Sequence, residues 1–266
     1  MLPSELSPAM KLASYADGSR DGHLVVVSRD LTQAHYANGI ATRLQQVLDD
    51  WGFLAPQLED LSVQLNHGRL RHAFAFEPAK CLAPLPRPQG WSVLQPDGTL
   101  RREAGDLLAP QQPLRAVARP EAALGLITGD LAAASEAGAA LDGLRLLTLV
   151  LDWRLDGELL ASQAAPLAVT PDELGPAWQA GRLQARLQCL HNGARQEPAE
   201  LTLTPAQALA RAARLRRLRA GQLVGQALPL PELALAAGDS LHLDLKGADG
   251  QSLFGAIDLD LGSSDA

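Results

Sequence analysis

The sequence predicts a β-rich α+β fold, with a mostly antiparallel or mixed sheet and few helices. Three observations predict it. Apolar runs such as HLVVVS, LRLLTLVLDW and LQARLQCL are β-branched, continuous or strictly alternating. Turn pairs such as Asn192-Gly193 and Asp249-Gly250 separate such runs. Few stretches keep a 3.6-residue apolar period.

Taken in order, KLASY and HLVVVS read as two strands around the turn ADGSRDG. Ile40, Leu44, Val47, Leu48 and Trp51 form the apolar stripe of an amphipathic helix. Pro56 is expected to open a second helix, with Leu58, Leu61 and Leu65 inward and Asn66-His67-Gly68 as its C-cap. From Pro78 to Pro120 the prolines forbid a long helix and interrupt any central strand. Within this stretch, WSVLQPDGTLRRE reads as a small hairpin around Pro96-Asp97-Gly98.

LGLIT then reads as a strand, followed by an Ala-rich connector or short helix. LRLLTLVLDW suits a strand covered on both faces. Thr170-Pro171-Asp172-Glu173 has the pattern of a capping box, with Thr170 as N-cap. LQARLQCL alternates and turns back at Asn192-Gly193. Thr204-Pro205 starts a helix expected to reach Gly221, and LHLDLKGADGQSLFGAIDLDL closes the chain as a hairpin before a frayed tail. These shifts divide the chain into an extension (1–9), an N-terminal subdomain (10–83), a Pro-rich junction (84–120) and a main body (121–266).

The 266 residues are 47% hydrophobic and 20% charged, which excludes a disordered chain. A net charge of −7 makes the chain a poor overall partner for nucleic acid or an anionic membrane. No apolar run approaches the roughly 20 residues of a spanning helix, and MLPSELSPA lacks the pattern of a signal peptide. The expectation is a cytoplasmic protein in which Cys81 and Cys189 are separate buried thiols.

Common catalytic signatures are absent: no G-x-S-x-G, no G-x-x-x-x-G-K, no H-E-x-x-H. His23 and His35 read as surface or packing residues. The arginines at 211, 214, 216, 217 and 219 read as a solvated helix face, with an acid- or phosphate-binding face as the alternative. Glu121, Asp130 and Asp152 stand at strand ends, where carboxylates can hold a hard cation such as Mg2+.

The block MKLASYADGSRDGHLVVVSRDLTQAHYANGIATRLQQVLDDWGFLAPQLEDL, with RHAFAFEPAKCLAPLPRP, resembles bacterial proteins of the fumarylacetoacetate hydrolase family. The likeness returns in ITGD, LVLDW, LAVTPDELG, RAGQLVG and GADGQSLFGAI. The resemblance implies a mixed β-roll behind a smaller N-terminal α+β domain, a dimer, and Mg2+ or Ca2+ held by acidic side chains. It further implies cleavage, decarboxylation or isomerisation of β-diketo acids, acylpyruvates and related keto acids.

Carried over residue by residue, the family's metal ligands fall on Glu121 and Asp152, with Ala123 where a second glutamate is expected. No lysine follows Asp152 in DWRLDGELLASQAAP, and the Gly-Thr turn expected after RAGQLVG is replaced by QALPLPELALAAGDS. The resemblance then leaves at most weak Mg2+ or Ca2+ binding, no catalytic residue and no organic cofactor site. Three readings stay open. One is a non-catalytic family member, paired with itself or with an intact relative. Another is a reduced enzyme, in which Arg154 and Gln163 would be the first replacement groups. The last is an unrelated β-rich binding protein. Exposed sheet edges near LHLDL or LQARLQCL are where a dimer partner is expected.

Overall fold

The computed structural model describes residues 9–103, 105–114 and 117–262. The N-terminal extension, apart from Ala9, and the tail after Gly262 lie outside the described residues. Strands β1 (Lys11–Tyr15), β2 (His23–Val27) and β3 (Gln33–Tyr36) pair antiparallel in sequence, as KLASY and HLVVVS require. Helices α1 (Leu44–Asp49) and α2 (Trp51–Asn66) follow, then the short β4 (Phe74–Ala75), which pairs with β3.

The first helix is shorter than its stripe, and Pro56 lies inside α2 instead of opening it. Trp51 starts α2 immediately after Asp50. The bond that Pro56 cannot donate would have gone to the carbonyl of Gly52, in the helix's first turn. The helix closes at Gly68, whose φ of 66° glycine adopts without strain.

The Pro-rich stretch is built into the sheet. It supplies β5 (Gly90–Leu94), β6 (Leu100–Glu103) and β7 (Leu107–Leu108). β8 (Arg119–Thr128) begins before LGLIT and contains both Pro120 and Glu121. Pro120 is tolerated because the neighbour on one side, β16 (Gln222–Ala227), pairs with β8 only from Ala123 onward. After the short α3 (Ala137–Leu141) come β9 (Leu144–Leu155), β10 (Glu158–Ala164) and β11 (Ala168–Val169). The twelve strands order as β4-β3-β2-β1-β11-β9-β8-β16-β5-β6, with β10 on β9 and β7 on β10. β16–β5 and β10–β7 are parallel and the other pairs antiparallel, so the sheet is mixed.

A smaller sheet contains β12 (Trp178–Gln179), β13 (Arg182–His191), β14 (Ala194–Arg195), β15 (Ala199–Leu203), β17 (Ser240–Lys246) and β18 (Ile257–Asp260). In β13 the alternating Leu183, Ala185, Leu187 and Cys189 face inward as expected. The Asn192-Gly193 turn has φ of 51° and 74°, the positive pair that tight hairpins use.

The large sheet separates two cores. Leu124, Leu126, Leu147, Leu149 and Leu151 pack toward the smaller sheet, while Ile127, Leu146 and Val150 pack with α1, α2, Leu12 and Val26. This two-sided burial explains the nearly continuous apolar run in β9. Where β8 meets β16, Gly125 stands opposite Gly225. A Cβ on Gly225 would come within 2.7 Å of the Trp91 ring, so glycine there admits the indole.

Two helix expectations are corrected. Thr170 does not cap its helix: its buried Oγ1 accepts the Met10 N–H at 2.9 Å and also contacts the Met10 carbonyl. The following segment, Pro171–Ala177, is only 3-10. Tying the start of β1 to the end of β11 satisfies a buried N–H and prevails over the local cap. The helix from Thr204, α4 (Pro205–Ala213), stops well before Gly221. Leu218 instead exchanges two backbone bonds with Leu131, at 2.9 and 3.0 Å, which holds the chain out of helical geometry. Arg214, Arg216, Arg217 and Arg219 therefore do not share a helix face.

Candidate functional site

β8 and β9 place Glu121 directly opposite Asp152, and Arg119 opposite Arg154. Side chains alternate across a sheet with period two, so all four leave the same face. On the other edge of β9, β10 sets Ser162 against Asp152. Two of the three carboxylates that the sequence singled out are thus brought together. Asp130 is not: it follows the far end of β8 and accepts the Ala220 N–H at 3.2 Å.

The network is completed by two residues the sequence did not point to, Arg101 and Glu103 of β6. Four strand steps separate β6 from β9 in the sheet order, about 19 Å if the sheet were flat. Arg154 nevertheless donates from Nη2 to Glu103. The large sheet therefore curls back on itself, and this roll creates the site. TLRRE alone shows a local hairpin; the only signal in it was charge on a strand whose neighbours are buried.

Arg154 is nearly buried, and each of its three nitrogens is bonded. Its Nε reaches Glu121 Oε2 at 3.0 Å, its Nη1 the Gly157 carbonyl at 3.1 Å, and its Nη2 Glu103. Arg101 repeats the pattern, with Nη2 on Glu121 Oε2 at 2.6 Å and Nε on Glu103. Two guanidinium groups thus bridge two carboxylates, a neutral set. Burial pushes the Glu121 carboxyl up, but its bonds and attraction to Arg101 and Arg154 hold it below the usual range.

Asp152 is in a different state. Burial pushes its carboxyl up to about 6, against the bond that Ser162 Oγ donates at 2.5 Å; the Glu103 charge raises it further, and Arg154 opposes. Glu121 and Asp152 both line a cavity of about 250 Å3, with Arg101 and Arg119 as its cations and Pro120, Leu228 and Pro229 among its walls.

Mg2+ and Ca2+ take oxygen ligands, usually with an excess of negative charge. Here Glu121 Oε2 already accepts from two guanidinium groups, Asp152 is bonded to Ser162, and Ala123 stands where a further carboxylate was expected. Among the described residues, no group of three or more His, Cys, Asp or Glu is arranged to hold a metal. This donor set does not fit a divalent cation.

Gln163 lies outside the network. Its Oε1 accepts the Trp153 indole N–H at 2.8 Å, and its Nε2 donates to the carbonyls of Ala109 and Gln112. The histidines stand apart too: His23 packs edge-on against Tyr36, and His35 Nδ1 bonds the Tyr36 carbonyl. Cys81 and Cys189 are unbridged, and burial pushes their thiols up to about 12 and about 11. Among the described residues, no helix is long and apolar enough to cross a membrane.

Fold and site define a mixed β-roll whose mouth is occupied by an arginine–carboxylate network. Residues 10–87 match the family model described as fumarylacetoacetase N-terminal domain 2. The chain superposes on maleylpyruvate hydrolase from Sphingobium sp. SYK-6, with TM-score 0.70 and 18% identity over 95% of this chain and 100% of that one. It superposes similarly on a probable 2-hydroxyhepta-2,4-diene-1,7-dioate isomerase from Mycobacterium abscessus (TM-score 0.72, 14% identity, 97% and 100% covered). Fumarylacetoacetate hydrolase from Exiguobacterium antarcticum gives TM-score 0.69 at 16% identity, with 96% and 100% covered. No curated protein sequence matches the chain. The resemblance to the fumarylacetoacetate hydrolase family is borne out, by sequence over the N-terminal domain and by fold over the remainder. The Sphingobium hydrolase has also been solved with manganese(II) and pyruvate.

Proposed function

We propose that this chain is a non-catalytic or strongly impaired member of the fumarylacetoacetate hydrolase family, acting in the cytoplasm as a structural or regulatory subunit. It would work as a homodimer or in a hetero-oligomer with an intact family member, without nucleic acid or membrane. One observation carries this reading: the Arg101 and Arg154 guanidinium groups both bond Oε2 of the Glu121 carboxylate. Polarising a β-dicarbonyl needs a Lewis acid or free donors aimed at the developing enolate. Each of the three Arg154 nitrogens is already bonded, to Glu121, Gly157 and Glu103, so its guanidinium is held in the network and away from a substrate.

The test is turnover of acylpyruvates and decarboxylation of oxaloacetate by the full chain with Mg2+ or Mn2+ present. The expected result is no rate above that of the free metal. Robust turnover lost on Glu121→Gln would overturn the reading.

Asp152 favours a second reading, a reduced hydrolase or decarboxylase of β-diketo acids or acylpyruvates. A carboxyl pushed up to about 6 at a cavity wall has the proton affinity of a general base. Turnover that survives Glu121→Gln but not Asp152→Asn would select it.

A further inference from the structure

The stretch after α4 is the most concentrated positive surface of an otherwise acidic chain. Arg211, Arg214, Arg216, Arg217 and Arg219 fall within nine residues of a protein whose net charge is −7. Six arginines elsewhere, such as Arg29 with Glu173 and Arg87 with Asp21, form carboxylate ion pairs. Among the described residues, none of these five lies within ion-pair distance of a carboxylate. In their midst Leu215 is 79% exposed, more than any other large apolar side chain described.

The backbone is anchored on either side of this segment. The Ala213 carbonyl accepts the Ala134 N–H at 2.9 Å, Leu218 is bonded both ways to Leu131, and the Arg219 carbonyl accepts from Thr128 Oγ1 at 3.1 Å. A segment this short, held at both ends, loses less backbone freedom than a free loop when a partner binds. Arginine beside a buried apolar contact is also what binding hot spots are made of.

We propose that residues 211–219 are a docking surface for an acidic protein segment, whose carboxylates pair with Arg214, Arg216 and Arg217 and whose apolar side chain covers Leu215. This deepens the reading of the chain as a subunit by naming the surface it uses. A membrane or a nucleic acid fits less well. The net negative charge of the chain works against both, a lone leucine is a weak membrane anchor, and residues 205–222 contain no aromatic ring on which a base could stack.

The probe is a short fluorescein-labelled peptide of glutamates and leucines, titrated with the full chain by fluorescence anisotropy. Binding is expected to be saturable and to weaken about tenfold or more between low and roughly 0.5 M salt. The double variant Arg216→Glu/Arg217→Glu should abolish it. Arg195→Glu, in the exposed hairpin at β14, should leave it unchanged. Leu215→Ser should weaken binding while keeping the salt dependence. Absence of binding, binding indifferent to the 216/217 reversal, or capture of phosphatidylglycerol vesicles or single-stranded DNA in place of the peptide would overturn the proposal. Turnover is not read in this experiment, so its failure leaves the non-catalytic reading standing, and the converse holds.

Discussion

Glu121 and Asp152 are cross-strand partners in β8 and β9, yet their carboxyls are driven in opposite directions. Glu121 is held ionised by two arginines, while Asp152, one strand over, has a serine hydroxyl and little water. The difference comes from the roll: β6 curls over the β8 side and delivers Arg101 and Glu103 there.

Removing Arg154 should expose how strongly that network is balanced. Arg154→Ala strips an ion partner from both Glu103 and Glu121, and the Glu103 side chain is only 4% exposed. Breaking a buried pair from one side costs about 3–5 kcal/mol. Urea denaturation should show a loss of that order, and the double variant Arg154→Met/Glu103→Met should recover much of it.

Asp152 should make stability fall as pH rises. An unfolded aspartate titrates near 3.8, whereas in the fold this carboxyl titrates near 6, so the folded chain binds the extra proton in between. Its stabilising contribution is full below about pH 4 and is lost as pH climbs through about 6. Asp152→Asn, which keeps an acceptor for Ser162, should stabilise the protein by on the order of 3 kcal/mol at neutral pH and by little near pH 4. Denaturation curves of the two proteins at both pH values check this; an equal difference at the two would contradict it.

Thr170 should act through Met10 and not through its own helix. Thr170→Val removes the acceptor of the buried Met10 N–H, at a cost of about 1–3 kcal/mol. Amide exchange should accelerate at Met10 before it does at Glu173. The reverse order would mean that the threonine is a cap after all.

Gln163 should hold the Pro-rich segment in place. Gln163→Leu deletes the bonds to Ala109 and Gln112 and leaves the Trp153 indole N–H without its acceptor. Limited proteolysis should then cut near residues 109–112 faster than in the parent chain.

The strands were legible because their pattern reports local burial. β9 reads as a two-sided strand and β13 as a one-sided one, and both are so. Glu121 and Asp152 could be paired in advance only through the family resemblance. Arg101 and Glu103 could not, because their role depends on the curl of a twelve-stranded sheet, a relation between strands far apart in its order. The missed helix boundaries have one cause as well. At Thr170 and Leu218, a bond to a distant strand end outweighed the local signal, and nothing within a few residues announces Met10 or Leu131.

Calorimetric titration of the full chain with Mn2+ at neutral pH bears most directly on the arginine-occupied site. With Glu121 Oε2 bonded to Arg101 and Arg154, and Ala123 where a further carboxylate was expected, millimolar Mn2+ should give no stoichiometric heat. Stoichiometric Mn2+ binding that disappears in Asp152→Asn would show that the arginines yield to the metal, and would contradict the account.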